Sequence, residues 1–173
     1  MGVNIAIDWS RLAIDLNAPV TLNEKNIQYS ELLTRVLGQV SDPNNPAAFA
    51  PVNDVLVIST ADGMKVYADL EDSLAGAKMS DALREQLGRR LPALDLDGAG
   101  LATALDSLNS ASGPAIKVDW AALQAAGVQR NVPLHLHLRH ISVGQALCVI
   151  LGGVNSSRPI HIAVRGDKLE LGS

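Results

Sequence analysis

One strand-and-turn pattern occurs twice in this chain, and the repetition limits the folds that the chain can adopt. The stretches IAIDWSRL at 5–12 and IKVDWAAL at 116–123 both carry an apolar run, then Asp-Trp, then a leucine three residues after the tryptophan. A further match follows each of them, because NAPVTL at 17–22 resembles NVPLHL at 131–136. The offset of roughly 110 residues lies outside the range of solenoid repeats. The sequence therefore predicts two divergent copies of one small α+β unit.

The second copy, residues 92–173, is the more complete. Apolar residues from position 101 onward recur with helical spacing, and VPLHLHLRH at 132–140 alternates as a half-buried strand does. The capping-box pair Ser142 and Gln145 begins a second helix, and a Gly-Asp turn joins the two strands of a closing hairpin. With the strands before and after the first helix, the predicted order is β-α-β-β-α-β-β.

The first copy, residues 1–60, is predicted to lack the opening strand and helix. Its remaining helix has apolar residues where the second copy has them, namely at Tyr29, Leu32, Leu33, Val36 and Leu37. Residues 61–91 are predicted to be a helical linker, with a strand around 65–68 and a helix from 80 to 91. The segment 43–51 is rich in Pro, Asn and Ala, which predicts an irregular loop.

The absent first helix leaves an apolar face that needs a cover. We expect the helix at 80–91 to fold back over it with Leu83 and Leu87, and a second chain is the alternative supplier. The residues expected to be buried are Ile5, Ile7, Trp9, Leu32, Leu33 and Val36 in the first copy and Leu105, Val118, Trp120, Leu136, Leu147 and Ile150 in the second.

Composition excludes several classes of function. The 173 residues are 47% hydrophobic and 18% charged, which is typical of a globular protein. The net charge of −4 and the lack of any Lys or Arg run argue against nucleic acid as a partner. No apolar run reaches the ~20 residues that span a bilayer, so we expect no direct membrane insertion. The N-terminus shows no secretory signal pattern.

The shared carboxylates Asp8 and Asp119 are predicted to be helix N-caps. Each follows a strand and precedes a helical turn, where an Asp side chain accepts backbone N–H groups and contributes ~1 kcal/mol. Catalysis would need a partner acid or a nucleophile at a recurring position, and neither copy has one. The repeated motif is therefore interpreted as scaffold.

Histidines are the weak candidates for a metal site. His135 and His137 share one strand face, His140 lies just beyond, and His161 falls on the polar side of its own strand. Zinc or nickel could bind there, but no acidic or cysteine ligand belongs to the pattern, so a solvated sheet face is favoured. The single cysteine, Cys148, is expected to be a buried, unreactive thiol.

The second copy resembles the small STN or secretin-N domain found at the N-termini of secretins and TonB-dependent receptors. The resemblance rests on LATALDSLNSASGPAIKVDW at 101–120 and on the pattern positions Leu134, Leu136, Leu138, Ile141, Val143, Ala146, Leu147, Ile150 and Leu151. The linker segment MKVYADLEDSL is similar to one that follows such repeats in planctomycete envelope proteins. The resemblance implies a docking or self-associating module of the periplasm or cell envelope, without catalytic residues or cofactors.

Two other functions remain open at this stage. A KH-like domain shares this small α+β layout and binds single-stranded RNA, but it needs a GxxG loop between helices and a basic groove. A metal-dependent hydrolase would use the four histidines named above. The sequence has no GxxG loop, and no acidic ligand belongs to the histidine pattern, so a non-enzymatic protein interaction module is the favoured interpretation.

Overall fold

Helices combine with small sheets of two or three strands in the described part of the chain. The computed structural model describes residues 3–15, 17–23, 26–112 and 114–173. The elements in these ranges are β1 (Asn4–Ile7), α1 (Tyr29–Val40), β2 (Ala47–Val52), β3 (Val55–Thr60), α2 (Ala61–Gly76), α3 (Asp81–Gly88), β4 (Arg90–Gly100), α4 (Leu101–Ser112), β5 (Ala115–Val118), α5 (Trp120–Ala125), β6 (Pro133–Ser142), α6 (Val143–Gly152), β7 (His161–Arg165) and β8 (Lys168–Gly172). Hydrogen bonds join the strands into three sheets, β1-β3-β2, β4-β6 and β5-β8-β7. The predicted α+β class is confirmed.

Side-chain caps determine where four helices begin. Thr60, Ser80, Asp119 and Ser142 each accept a hydrogen bond from the backbone N–H three residues later, at distances of 3.0 to 3.2 Å. The Gln145 side chain also accepts the N–H of Ser142, which completes the predicted capping box of α6. These bonds satisfy N–H groups that have no partner within the helix.

The two three-stranded sheets have the same topology and the same register. β1 runs parallel to β3 as β5 does to β8, and the pairs Ile5 with Leu56 and Ile116 with Leu169 are equivalent. β2 and β7 complete their sheets as antiparallel partners. The hairpin turns begin at Asn53 and Gly166, both with positive φ. The sequence match between the copies therefore extends to the geometry of these strands.

One main core takes apolar residues from both predicted copies. Leu101, Leu105 and Leu108 of α4 are buried in it, together with the inward leucines of β4 and β6. Nine of the ten residues of α6 are also buried, all except Gln145. Ala6, Val55 and Val57 of the first sheet belong to the same cluster. α2 joins these parts because it packs against α6, β2, β3 and β7.

Three predictions about local structure are wrong. Residues 65–68 lie in α2 and not in a strand, since Gly63, Tyr67 and Leu70 repeat with helical spacing on a buried face. Residues 47–51 of the predicted loop form most of β2, which pairs with β3 along its whole length. The predicted helix 80–91 ends at Gly88, and Leu91 belongs to β4. In β2, pairing with β3 outweighs the local Pro, Asn and Ala content that predicted a loop.

The buried residues are predicted well only in the second copy. Leu105, Leu136, Leu147 and Ile150 are buried, whereas Val118 and Trp120 are half-buried. In the first copy Ile5 and Trp9 are exposed, and the remaining four predicted residues are half-buried: Ile7, Leu32, Leu33 and Val36.

The predicted cover for the first copy is also wrong. Leu83 and Leu87 are buried as expected, but α3 packs against α6 of the second copy. It therefore does not lie over α1, and the apolar side of α1 keeps its partial exposure.

Candidate functional site

Asp8 is a buried carboxylate with three side-chain partners. Its Oδ1 accepts from Ser10 Oγ at 2.6 Å, and its Oδ2 accepts from Ser59 Oγ at 2.8 Å and from Arg11 Nη1 at 2.5 Å. Only 1% of the residue is exposed. Its carboxylate accepts from side chains and not from the backbone N–H groups of the turn that follows, so its predicted role as an N-cap is wrong. A buried charge of this kind is stable only with such a complete set of partners.

Arg11 connects Asp8 to the end of α6. Nη1 donates to Gly152 O at 2.6 Å and Nη2 donates to Val154 O at 2.8 Å, while Ser10 Oγ reaches Gly153 O at 3.2 Å. The last carbonyls of a helix lack partners within the helix and carry partial negative charge, which a guanidinium neutralises. The cluster of Asp8, Ser10, Arg11 and Ser59 is thus a clasp between the first sheet and α6.

Asp119 has the role that the sequence predicted. Its Oδ1 accepts the N–H of Ala122 at 3.0 Å and caps α5. The same motif therefore has two different structural roles, and the deciding difference is Arg11 in the first copy against Ala122 in the second. The sequence analysis did not identify Arg11. A charged residue at a position that is apolar in the other copy could have indicated that the two motifs differ in role.

The four histidines do not converge. His135 Nδ1 lies 3.3 Å from Asp97 Oδ1 and His137 Nδ1 lies 3.2 Å from Asp95 Oδ1, across the β4-β6 ladder on its exposed face. His140 is exposed beyond them with φ of 52°, and His161 lies in another sheet. Among the described residues no group of three or more His, Cys, Asp or Glu is placed to hold a metal ion. The arrangement is that of a solvated sheet face with cross-strand polar pairs.

Cys148 belongs to α6 and is buried in the apolar core. Burial, followed by the nearby carboxylate of Glu71, raises the pKa of its thiol to about 12. A thiol with so high a pKa carries almost no thiolate near neutral pH, and the thiolate is the nucleophilic form. The arrangement suits a core residue and gives no activated nucleophile.

Asn4 links the first sheet to β6 through its side chain. Its amide donates to Arg139 O at 2.8 Å and accepts from Arg139 N at 2.8 Å, so it takes the place of a backbone partner. By their backbone hydrogen bonds, β1 and β6 belong to different sheets. The contact brings β1 beside the His and Asp pairs of the β4-β6 sheet.

An apolar surface remains open along β1. We call Val3, Ile5, Ile7 and Trp9 the β1 surface, in which Ile5 is 46% and Trp9 45% exposed. Ile5 and Ile7 pair in register with Leu56 and Ile58, so they lie on the sheet face opposite to Ala6 and Val57. Tyr29 of α1, at 87% exposure, is a further uncovered aromatic side chain. Large exposed apolar side chains grouped in this way are typical of interaction surfaces.

No protein-family model, curated protein or solved structure matches this chain. Among the described residues, no helix has both the length and the hydropathy needed to cross a bilayer.

Proposed function

We propose that the chain is a non-enzymatic protein interaction or assembly module of the bacterial cell envelope, built from two tandem STN-like units. The single observation that carries the proposal is the apolar β1 surface, in which Val3, Ile5 and Trp9 stay exposed while the buried apolar residues form one main cluster. A binding partner, or a further copy of the chain, would remove this surface from water and gain ~25 cal/mol per Å² of apolar area buried.

The chemistry-bearing residues support the same proposal. Asp8, Arg11 and Asp119 are engaged in hydrogen bonds within the scaffold, and Cys148 is buried. His135 and His137 pair with carboxylates on an open sheet face. The cavity that His137 and His140 line with Asn4, Asp54, Arg90 and Arg139 brings together no group of three metal ligands among the described residues. An interaction module needs none of these groups to react.

The assignment to STN-like units is supported by positions outside the core leucines. Asn26 and His140 precede α1 and α6 at equivalent places, and both have positive φ, at 60° and 52°. The family pattern often has Asn there, so Asn26 agrees with it and His140 departs from it. After Gly, Asn is the residue that most easily adopts this conformation. We assign units to residues 1–60 and 92–173, with residues 61–91 between them, and place the protein in the periplasm or envelope by this resemblance.

The experiment is site-specific photo-crosslinking in the full-length protein in its native cells. The photoreactive residue p-benzoylphenylalanine is placed at position 5, and the control has it at position 115, an exposed position of the equivalent strand β5. We expect protein adducts from position 5 and far fewer from position 115. Equal yields from both, together with a purified chain that stays monomeric from micromolar to millimolar concentration, would contradict the proposal. Saturable binding of single-stranded RNA would favour a KH-like domain in its place, and stoichiometric zinc would favour a metal-dependent hydrolase.

A further inference from the structure

The equivalent face of the second three-stranded sheet is covered except at Val118, the counterpart of Ile7, which is half-buried. Ile116, Leu169 and Leu171 occupy the positions of Ile5, Leu56 and Ile58, and they are at most 8% exposed. α4 lies over β5 and is tied to it, because Ile116 N donates to the Asn109 side chain at 2.9 Å. Leu101, Leu105 and Leu108 of α4 are buried at i, i+4 and i+7.

The first sheet has no counterpart of α4 within the described residues. α1 contacts β2, α3 packs on α6, and β1 makes its main contacts with β3 and β6. As a result Ile5 is 46% exposed where Ile116 is 8% exposed. The missing cover is therefore located over β1, where α4 would be expected from the second sheet.

α1 shows the same deficit on its own apolar side. Tyr29 is exposed and Leu32, Leu33 and Val36 are half-buried, whereas the equivalent residues of α6 are completely buried, namely Val143, Ala146, Leu147 and Ile150. α6 makes that contact partly with α4. Thus β1 and α1 are both less buried than β5 and α6, their counterparts in the second copy, which α4 contacts.

No other described helix can take this place. The opposite face of the first sheet carries Ala6, Val55 and Val57 where the second has Lys117, Lys168 and Glu170, and it is buried with α2. α2 is therefore committed to the other side. A second copy cannot lend its α4 without unfolding, since that helix buries Leu101, Leu105 and Leu108 in its own core.

We infer that the β1 surface binds an amphipathic helix of a separate protein, which presents leucine-type side chains at i, i+4 and i+7. The helix would lie over Ile5 and Ile7, as α4 lies over β5. This is the helix-in-groove mode of recognition, with three apolar anchors on one helical stripe. The inference rests on the proposed interaction function and specifies its surface and its partner.

The probe is a fluorescein-labelled peptide with the sequence of α4, titrated into the full chain and followed by anisotropy. Because an isolated helix of this length is marginal in water, the exposed positions carry Thr103→Lys and Ser107→Glu joined by a lactam. The control peptide carries Leu105→Lys and Leu108→Lys in addition. We expect saturable binding of the first peptide and affinity for the control that is about tenfold weaker or worse.

Variants of the full chain locate the binding surface. Ile5→Glu should weaken binding about tenfold or more, and Ala115→Glu, which adds the same charge at an exposed position of β5, should change it less than about twofold. Both variants are compared with the parent by circular dichroism, and Trp9→Ser replaces Ile5→Glu if the latter fails to fold.

Three results would overturn the helix-binding inference. The first is no saturable binding of the α4 peptide, and the second is binding that Ile5→Glu or its substitute leaves unchanged. The third is self-association of the chain through the β1 surface, detected by light scattering and abolished by Ile5→Glu. The third result would leave the proposed interaction function in place, whereas failure of the crosslinking experiment at position 5 would remove that function itself.

Discussion

Replacing Gly152 by Ala tests the packing of α2 on α6, the contact that joins the two parts of the core. A Cβ on Gly152 would lie 2.3 Å from two carbons of the Tyr67 ring, whereas carbon atoms normally approach no closer than ~3.5 Å. Tyr67 is 1% exposed, so the ring cannot swing into solvent. The added methyl group must therefore displace either the ring or the end of α6 by about an ångström.

The expected free-energy change follows from two opposed effects. Overpacking a core costs ~1–3 kcal/mol, while Ala is favoured over Gly in a helix by ~0.5–1 kcal/mol. We expect Gly152→Ala to lower the free energy of unfolding by about 1–2 kcal/mol, measured by urea denaturation with far-ultraviolet circular dichroism. Gly38 of α1 is the matched control, because it is the equivalent glycine and has nothing within 4 Å of an added Cβ. Gly38→Ala should be neutral or stabilising by up to ~1 kcal/mol.

A double-mutant cycle assigns the cost to the Tyr67 ring. In a Tyr67→Leu background the ring is absent, and Gly152→Ala should cost little or nothing there. The reasoning is refuted if Gly152→Ala in the parent chain is as stable as the parent, or if its cost is the same with and without the ring. Either result would mean that Tyr67 does not pack on the end of α6.

Three further predictions concern single side chains. Arg11→Ala should lower the free energy of unfolding by ~3–5 kcal/mol, because it leaves Asp8 buried without its cation. Asp119→Ala should lower it by only ~1 kcal/mol, the value of a helix cap. A smaller loss for Arg11→Ala than for Asp119→Ala in urea denaturation would contradict the role of the clasp. Leu147→Ala should cost ~2–5 kcal/mol in the same assay, and a cost near zero would show that α6 is not packed as described. Cys148 should resist a thiol reagent at pH 8 until urea unfolds the chain. Because burial raises its pKa from the ordinary 9.0 to about 12 in the folded chain, its contribution to stability is complete below about pH 9 and is lost as the pH rises toward 12. Rapid labelling of the folded protein would show that the thiol is accessible.

The second copy is predictable because its local signals agree with its tertiary contacts. The alternation of 132–140 corresponds to β6, the capping box begins α6 at its observed residue, and the Gly-Asp turn joins β7 to β8. Each signal acts over a few residues and needs no knowledge of the partner element. Sequences in which local preference and tertiary contact coincide are the ones that can be read reliably.

The first copy and the linker depart from prediction where a distant contact decides the outcome. The segment 43–51 has a loop composition, yet β2 forms because β3 provides a complete antiparallel partner. The run 65–68 has the composition of a strand, yet α2 forms because Tyr67 and Leu70 share a face that α6 and the first sheet cover. Neither partner can be identified from the segment itself.

Differences between the copies, more than their similarities, mark how the first copy is attached. Val55 to Ile58 is a continuous apolar run, whereas the equivalent strand of the second copy alternates with Lys168 and Glu170. A continuous run predicts burial on both faces, which is the condition that α2 creates on one side and that a partner helix would complete on the other. Arg11, which stands where the second copy has Ala122, is a polar difference with a related effect, because it binds the first sheet to the end of α6. In a chain with two divergent copies, positions that are polar in one and apolar in the other therefore indicate the surfaces that one copy buries and the other leaves in solvent.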